Sequence, residues 1–563
     1  MERASTFFPS GIVRVKYRGE TITVPEGATI ASIVSSKDGC EGGWNSPVAA
    51  VVDSRLMSLD SKVYEGADIF PVFVWDEQGE LVYRRSLSVL LQAASRLVFP
   101  EVKLIVGQSL AGGNFYLWEG SPQLSEERVS KIEEKMRELV ASDIPIEQER
   151  CGTARAIDIF TQAGMEDRVA LLRTWWHETV RLVRIGNYID IYHGPVAPST
   201  GRLPYFALCY FPPGLILKYP EGKKGENPSR KIKVTKQLFD VYMETYEWNR
   251  IIGVSNIGQL NNFVIEGFIE ELIRVAEGLH EKKIAHIADM VVQKNSRVVL
   301  IAGPSSSGKT TFGKRLGVQL KVNGRNPVIL SIDDYYVNRE NTPKDEKGEP
   351  DFESIYAVDL PLLNQHLSEL LQGKEVLTPK FSFERGERQP QSKWKLMKLG
   401  SKDILMIEGI HALNDKLTAS IPEKEKFKIY VSALSQLCLD DANRISTTDV
   451  RLIRRIVRDR LYRGYEAEET IAKWPSVRRG EARNIFPFQE KADIMFNSTL
   501  PYELSVLKVY AVKFLLEVAK SSPSFLEAYR LLKFLDLLVP IFPDKVPHNS
   551  IIREFIGGSF FHY

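Results

Sequence analysis

A glycine-rich turn between an apolar run and a helical segment restricts the fold of this 563-residue chain more than any other feature. Residues 303–310 read GPSSSGKT and fit the phosphate-binding pattern G-x-x-x-x-G-K-[ST]. The run VVLIA before it predicts a buried strand, and KTTFGKRLGVQL from residue 309 predicts a helix. This order predicts an α/β domain that binds phosphate groups at the helix N-terminus.

The residue types in the turn suit a polyphosphate bound with a metal ion. The glycines let backbone N–H groups surround the phosphates, Lys309 is expected to reach the terminal phosphates, and the Thr310 hydroxyl is expected to bind Mg²⁺. The predicted phosphate-binding residues are Gly303, Ser305, Ser306, Ser307, Gly308, Lys309, Thr310 and Thr311. A chance glycine–serine loop is the alternative, and the flanking strand and helix argue against it.

Apolar runs and helical segments alternate from residue 298 onward. The runs cover residues 298–302, 327–332, 403–409 and 427–432. Because strands buried on both faces are apolar throughout, this alternation predicts a parallel sheet covered by helices. Residues 235–292 and 502–537 read as mostly helical, and residues 166–184 as a surface helix.

Acidic residues follow two of these predicted strands. Asp333 and Asp334 come after PVILSI, and Glu408 comes near the end of DILMIEG. Phosphoryl transfer requires a second anchor for the metal and a group that takes the nucleophile's proton, and the carboxyl ends of parallel strands are where both would lie. We expect Glu408 and one of the two aspartates to be functional. The alternative is that these acids only end strands and open turns.

Residues 451–463, RLIRRIVRDRLYR, predict an arginine-rich helix. An apolar stripe runs along one side, and Arg451, Arg455 and Arg458 gather on another. Guanidinium groups suit a triphosphate and the charge that develops on a transferring phosphoryl group. The alternative is a solvated basic face, which is the usual role of a charge run.

The composition excludes several classes of protein. With 74 basic and 72 acidic residues, the net charge of +2 does not indicate a nucleic-acid binder. The 4 cysteines are scattered, which argues against a disulfide framework or a thiolate zinc site. No apolar stretch is long enough to span a bilayer and the N-terminal residues do not read as a signal peptide, so we expect a cytoplasmic location without membrane contact.

The motifs of the second half together resemble uridine/cytidine kinases, within the phosphoribulokinase-like branch of P-loop kinases. The resemblance covers residues 298–500 and rests on GPSSSGKTT, SIDDYY, DILMIEGIHAL and RLIRRIVRD. It implies that ATP, bound with Mg²⁺, phosphorylates the 5′-hydroxyl of a nucleoside. Related kinases commonly self-associate, so the resemblance leaves a homo-oligomer open, although the sequence does not determine the oligomeric state.

The resemblance assigns roles to individual residues. It implies that Asp333 is the general base, that Lys309 and Arg458 are catalytic, and that Arg463 is a second lid arginine near the ATP phosphates. It places Thr310, Asp333 and Glu408 around Mg²⁺. The implied substrate-binding residues are Asp333, Tyr336, Glu353, Phe381 and Arg455.

Two departures concern the acceptor. The family's base-reading histidine corresponds to Gly386 in FSFERGE, and a base-side arginine corresponds to Tyr465. Glu353 stands where the family has an aspartate that grips the ribose hydroxyls. The resemblance therefore supports the kinase reaction better than it supports pyrimidine specificity. The acceptor could instead be a different nucleoside, a sugar or another alcohol.

The first half resembles two modules of threonyl-tRNA synthetases. Residues 11–75 resemble a TGS domain, and residues 76 to about 215 resemble the second additional domain, which edits mischarged tRNA. The editing chemistry needs metal- or proton-binding side chains at four positions, and these are Arg85, Val89, Tyr192 and Val196 here. We therefore expect no deacylase activity, and we expect the nearby His193 to be structural.

The sequence predicts a multidomain α+β and α/β protein. The predicted divisions are a TGS-like β-grasp domain (1–76), a synthetase-like α+β domain (77–218), a helical connector (219–292), a P-loop uridine kinase-like domain (293–500) and a helical segment (501–563). The favoured function is nucleoside kinase. The alternative is an RNA-binding protein whose P-loop only senses ATP, which RNA affinity that falls steeply with salt would support.

Overall fold

The polypeptide passes more than once between two structural units. A computed structural model of the chain describes residues 11–562 except 39–43, 221, 223–224, 345–347, 349, 383–384 and 436. The N-terminal unit comprises Met1–Val234, Asn256–Asn262 and Leu437–Arg444. The C-terminal unit comprises Thr235–Ser255, Phe263–Gln436 and Ile445–Tyr563.

Alternating residues near the start of the N-terminal unit form a small mixed sheet. Its elements are β1 (Ile12–Tyr17), β2 (Glu20–Pro25), α1 (Ile30–Asp38), β3 (Ala49–Val52), β4 (Arg55–Met57) and β5 (Asp68–Val72). The sheet order is β2-β1-β5-β3-β4, and β1 pairs antiparallel with β2 as the sequence predicts. Ile30 and Ile33 of α1 are buried against Val15 and Ile69 of the sheet. One helix packed on such a sheet is consistent with the β-grasp prediction.

The next part of the unit contains two antiparallel sheets. Its elements are α2 (Glu77–Val98), β6 (Val102–Leu110), β7 (Gly113–Gly120), α3 (Glu126–Ala141), β8 (Ile146–Gly152), α4 (Thr153–Gln162), α5 (Glu166–Arg173), β9 (Thr179–Ile185), β10 (Tyr188–Ile191), β11 (Ala207–Phe211) and β12 (Gly214–Lys218). The sheet orders are β10-β9-β8 and β11-β12-β7-β6.

The sequence prediction of one helix over 166–184 is wrong in its second half. The helix α5 ends at Arg173, and β9 pairs with β8 from Thr179 to Ile185. The segment TVRLVRI contains β-branched residues and largely alternates polar with apolar residues, and its burial follows a strand rather than a helix. Cross-strand pairing therefore outweighs the helical spacing that seems to continue from α5.

The C-terminal unit is built around a parallel sheet. The elements of this part of the chain are α6 (Lys236–Ile252), α7 (Ile257–Ile265), α8 (Ile269–Gln293), β13 (Val298–Ala302), α9 (Lys309–Val322), β14 (Asn326–Ser331), α10 (Leu360–Leu371), β15 (Val376–Thr378), β16 (Phe381–Ser382), β17 (Glu387–Arg388), β18 (Lys395–Met397), β19 (Asp403–Glu408), β20 (Lys426–Ser432), β21 (Cys438–Asp440), β22 (Asn443–Arg444), α11 (Thr447–Tyr462), α12 (Ala467–Asn484), β23 (Ile494–Asn497), α13 (Glu503–Leu516), α14 (Phe525–Asp536) and α15 (Arg553–Ile556).

The main sheet has the order β14-β19-β13-β20-β23, and its strands are all parallel. Every residue of β13 is buried, which is the burial that its apolar composition predicts. The fold class, α+β followed by α/β, is confirmed. The fifth strand, β23, has only four residues after a polar stretch and was not predicted.

A hairpin of the second half belongs to the N-terminal unit. The strands β21 and β22 lie in the segment Leu437–Arg444, which is assigned to that unit. The buried carboxylate of Asp440 is 2.7 Å from His193 Nε2, and Arg168 donates to the neighbouring Asp190 at 3.0 and 3.1 Å. His193 therefore has a carboxylate partner, consistent with the structural role that we expected for it.

None of the described helices is both long enough and apolar enough to cross a lipid bilayer.

Candidate active site

The phosphate-binding turn connects β13 to α9 in the C-terminal unit, as predicted. Gly308 has a φ of 84°, a conformation that residues with a Cβ rarely adopt. A Cβ on Gly303 would lie 2.1 Å from the carbonyl oxygen of Val431. Gly308 is therefore required for the left-handed backbone, and Gly303 for close packing against β20.

Lys309 and Thr310 lie at the start of α9. The Lys309 ammonium donates to the Pro304 carbonyl at 3.0 Å, and burial lowers the pKa of Lys309 although Glu408 and Asp333 oppose that shift. The Thr310 hydroxyl is 3.2 and 3.3 Å from the carboxylate oxygens of Glu408. Strand pairing explains this contact, because Ile301 of β13 is in register with Glu408 of β19.

Asp333 and Asp334 have different surroundings. Burial raises the pKa of Asp333, while the nearby charges of Lys309 and Arg463 oppose this effect. Asp334 instead pairs with Lys380 at 3.1 Å. The two aspartates therefore have different charged neighbours, Lys309 and Arg463 for Asp333 and Lys380 for Asp334, and which of them is functional stays a prediction.

The predicted metal ligands offer oxygen donors and a negative environment. Burial, and then the charge of Asp333, raise the pKa of Glu408 to about 7. The negative charges of Glu408 and Asp333 therefore lack full compensation by positive charge from their neighbours. A divalent cation would supply it. No group of three or more acidic, histidine or cysteine side chains within the described residues is arranged to hold a metal. The Thr310 hydroxyl and the Asp333 and Glu408 carboxyl groups are oxygen donors of the kind that Mg²⁺ takes, together with substrate phosphates.

Two buried arginines of α11 brace the phosphate-binding turn. Arg451 donates to the Ser305 carbonyl at 2.9 Å, and Arg454 donates to the Ser306 carbonyl at 3.3 Å. Arg454 also pairs with Glu503 at 2.5 Å and is fully buried. These residues hold the loop from its outer side.

Three further arginines surround the buried carboxylate of Asp459. Arg455 and Arg458 contact it at 3.2 and 3.0 Å, and Arg463 at 3.7 Å. The charge of Arg458, followed by burial, lowers the pKa of Arg463 to about 10. One carboxylate therefore faces several guanidinium groups, and the excess positive charge suits an anionic ligand. Arg455, assigned by resemblance to the acceptor, donates to the Ser305 hydroxyl at 3.0 Å.

The remaining predicted acceptor residues form two groups. Tyr336 and Phe381 are buried with ring centroids 5.8 Å apart, and the Tyr336 hydroxyl donates to the Phe352 carbonyl. The Oε2 atom of Glu353 is buried and has no hydrogen-bond partner among the residues that the structure describes. A Cβ on Gly480 would lie 2.3 Å from the Glu353 Cβ, so the helix α12 presses directly on this side chain.

The position of the absent base-reading histidine is filled differently. Gly386 has a φ of 71°, and a Cβ there would lie 2.7 Å from the Nε atom of Arg339. A histidine at residue 386 would adopt a strained backbone conformation and would displace the side chain of Arg339. Residues 383–384 of the same segment lie outside the described residues.

Sequence reasoning missed two glutamates that contact the turn. Glu481 of α12 is buried and accepts the Ser305 N–H at 2.9 Å as well as a hydrogen bond from Arg451. Glu554 accepts two hydrogen bonds from Thr311. Neither residue stands in a recognisable motif, and only the tertiary packing brings them to residues 305–311.

Replacing Glu353 with glutamine is expected to change how stability depends on pH. Burial, and then the charge of Glu481, raise the pKa of Glu353 to about 8, whereas its ordinary value is 4.5. Because the unfolded chain releases this proton at lower pH than the folded chain, wild-type stability should decline as pH rises toward about 8, and this decline should be smaller in Glu353→Gln. The measurement is Tm of both proteins between about pH 5 and about pH 9. A constant Tm difference across that interval would contradict the assignment.

Comparison with known proteins agrees with both halves of the sequence interpretation. Residues 298–504 match the model of the Phosphoribulokinase / Uridine kinase family. The N-terminal half matches threonine–tRNA ligases, with 29% identity over 190 residues for that of Geobacter sp. and 30% over 230 residues for that of Symbiobacterium thermophilum. These alignments cover 34% and 41% of this chain, and 30% and 33% of the ligases, so the chain spans about a third of their length.

Two solved structures are similar to part of this chain. A possible uridine kinase from Bacillus stearothermophilus is 17% identical, with a TM-score of 0.26, and 38% of this chain aligns with 100% of that protein. A D-glycerate 3-kinase from Cryptococcus neoformans is 17% identical, with a TM-score of 0.21, and 47% of this chain aligns with 89% of that protein.

Proposed function

We propose that this chain, whose residues 298–504 form a domain of the phosphoribulokinase/uridine kinase family, transfers the γ-phosphoryl group of ATP to the hydroxyl of a small molecule. The observation that carries the proposal is the convergence of Lys309, Thr310, Asp333 and Glu408 at the carboxyl ends of adjacent parallel strands. This is the edge of an α/β sheet where ligands bind.

The proposed reaction assigns a separate task to each side chain. The Asp333 carboxylate accepts the proton of the acceptor hydroxyl while the oxygen bonds to the γ-phosphorus and the bond from phosphorus to the β–γ bridging oxygen breaks, leaving ADP. Lys309, Arg458 and Arg463 neutralise charge on the phosphates. Thr310, Asp333 and Glu408 would hold Mg²⁺, which screens the phosphate charge when bound.

The acceptor that we propose first is the 5′-hydroxyl of a nucleoside. Glu353 supports this choice, because its unpartnered buried oxygen could accept a hydrogen bond from a ribose hydroxyl. Gly386 and Arg339 do not offer the predicted pyrimidine reader, so we do not extend the proposal to uridine or cytidine over other nucleosides. A sugar or another alcohol is the second candidate.

The test is phosphoryl transfer by the full chain with Mg·ATP and a panel of acceptors. The panel contains purine and pyrimidine nucleosides, their 5′-deoxy analogues, and small sugars and sugar acids. We expect ADP release that depends on a nucleoside and is absent with its 5′-deoxy analogue. Equal release with both compounds would contradict the 5′-hydroxyl as acceptor, and transfer only to sugars would favour the second candidate.

RNA binding by the N-terminal half is a separate proposal. It is supported by the match of that half to threonine–tRNA ligases, and its test is the salt dependence of RNA affinity described above. The location that we propose for the chain is still the cytoplasm.

A further inference from the structure

A short segment beyond the family domain contacts the phosphate-binding motif from inside the C-terminal unit. Residues 550–556, SIIREFI, lie well past residue 504, where the family match ends. The Glu554 carboxylate accepts the Thr311 backbone N–H at 3.0 Å and the Thr311 hydroxyl at 2.8 Å. Thr311 lies in the first turn of α9, where N–H groups have no intrahelical partner and are the donors that this motif offers to phosphates.

The neighbouring residues of the same segment extend the contact. Phe555 is completely buried, and the guanidinium of Arg454 lies 5.0 Å from the centre of its ring. The side chain of Ile551 packs against Gly308, where a Cβ would come within 2.6 Å of it. The segment thus contacts the turn and the start of α9 through Ile551 and Glu554, while Phe555 packs on Arg454.

The contact places a carboxylate where a nucleotide would place a phosphate. If Lys309 takes the terminal phosphates of ATP, the next phosphate lies toward the first turn of α9. The Glu554 carboxylate carries the same sign of charge as that phosphate and accepts hydrogen bonds from a donor of that turn.

We propose that Glu554 occupies the donors of α9 that would bind the inner phosphate of a nucleotide, and that residues 550–556 must leave this position before ATP binds productively. This inference rests on the proposed kinase function, because it assigns regulation to the same site. The segment acts as an internal competitor, so the apparent nucleotide affinity is reduced by the fraction of molecules in which it is released.

A permanent brace is the competing explanation of the same contacts. A carboxylate that only capped α9 would stabilise the helix and would stay in place when a nucleotide binds. It would then stand beside the phosphates with the same sign of charge. The two explanations differ in whether residues 550–556 leave their contacts when a nucleotide binds, and hydrogen exchange of this segment separates them.

The first experiment measures ADP binding by calorimetry in wild type, Glu554→Ala and Glu554→Gln, each as the full chain with Mg²⁺. We expect affinity to rise about tenfold to hundredfold in Glu554→Ala, and less in Glu554→Gln, because a charged hydrogen bond of about 1.5–3 kcal/mol no longer competes. Glu517→Gln is the matched control, since Glu517 pairs with Arg460 on the surface, and it should bind ADP like wild type. Unchanged or weaker binding by Glu554→Ala would overturn the proposal.

A second measurement does not depend on a substitution. In wild type, amide hydrogen exchange of residues 550–556 should become faster at saturating ADP, while exchange in α13 should not. Exchange that stays the same or slows in 550–556 would overturn the proposal. Because ADP binding needs neither acceptor nor transfer, a gain of affinity without phosphorylation of any acceptor would reject the kinase function and keep this inference.

Discussion

Replacing Asp333 with asparagine should lower the turnover of phosphoryl transfer by about 10² to 10⁴, because the acceptor hydroxyl then has no group to receive its proton. The affinity for Mg·ATP should change much less, since Lys309 and the backbone of the turn still bind the phosphates. The measurement is kcat at saturating Mg·ATP with the best acceptor of the panel, together with a separate calorimetric Kd for ADP.

The matched control is Asp334→Asn. It makes the same chemical change one residue along the chain, but Asp334 pairs with Lys380 rather than lying near Lys309. We expect its turnover to stay within a few-fold of wild type. Equal losses in both variants, or an unchanged rate in Asp333→Asn, would remove Asp333 from the role of general base.

Replacing Arg458 with methionine should lower kcat by about 10³ or more, the effect usually found for an arginine that stabilises charge on a transferring phosphoryl group. Arg458 lies in a cluster where three arginines share the carboxylate of Asp459, and its charge already lowers the pKa of Arg463. Bound phosphates would relieve this repulsion. The loss should therefore fall mainly on kcat, measured under saturating substrates.

Arg460→Met supplies the control for this helix. Arg460 is two residues further along α11 and pairs with Glu517 at the surface, so its replacement removes the same charge without approaching the turn. Turnover should stay close to wild type. If Arg458→Met raised only the KM for ATP, Arg458 would bind the ground state without a special role in transfer.

The central part of the fold could be predicted because its strands are short and apolar throughout. β13, β19 and β20 are largely buried, and the phosphate-binding motif fixes where β13 ends. The prediction that residues 327–332 form a strand buried on both faces is wrong, because β14 is the edge strand and Leu330 is its one buried residue. β23 was missed because four residues carry too little pattern, although the sheet needs it as a neighbour of β20. The helix predicted over 166–184 failed because pairing with β8 decides the structure of 179–185.

The residues of the candidate site likewise fall into those that sequence position predicts and those that it does not. Glu408 and Thr310 meet because parallel strands end at a common edge, and Asp333 follows the strand next to β19, so sequence position was enough. Glu481 and Glu554 reach the turn from 176 and 243 residues away, and no local spacing relates them to it. Arg454 illustrates the limit from the other direction. It lies in the helix whose arginines we expected near a triphosphate, but its own partners Glu503 and Phe555 come from α13 and α15.

The hairpin β21–β22 determines how the chain can be divided into separate parts. The segment Leu437–Arg444 folds with the first part of the chain, yet only two residues separate it from α11, which carries the arginine cluster. If the chain were divided at a single peptide bond between its two halves, the fragment with His193 would lack Asp440. The buried charges around Arg168 and His193 would then lose a carboxylate partner. Neither unit is therefore one contiguous stretch of sequence, and an exchange of the N-terminal unit would have to include this hairpin as well.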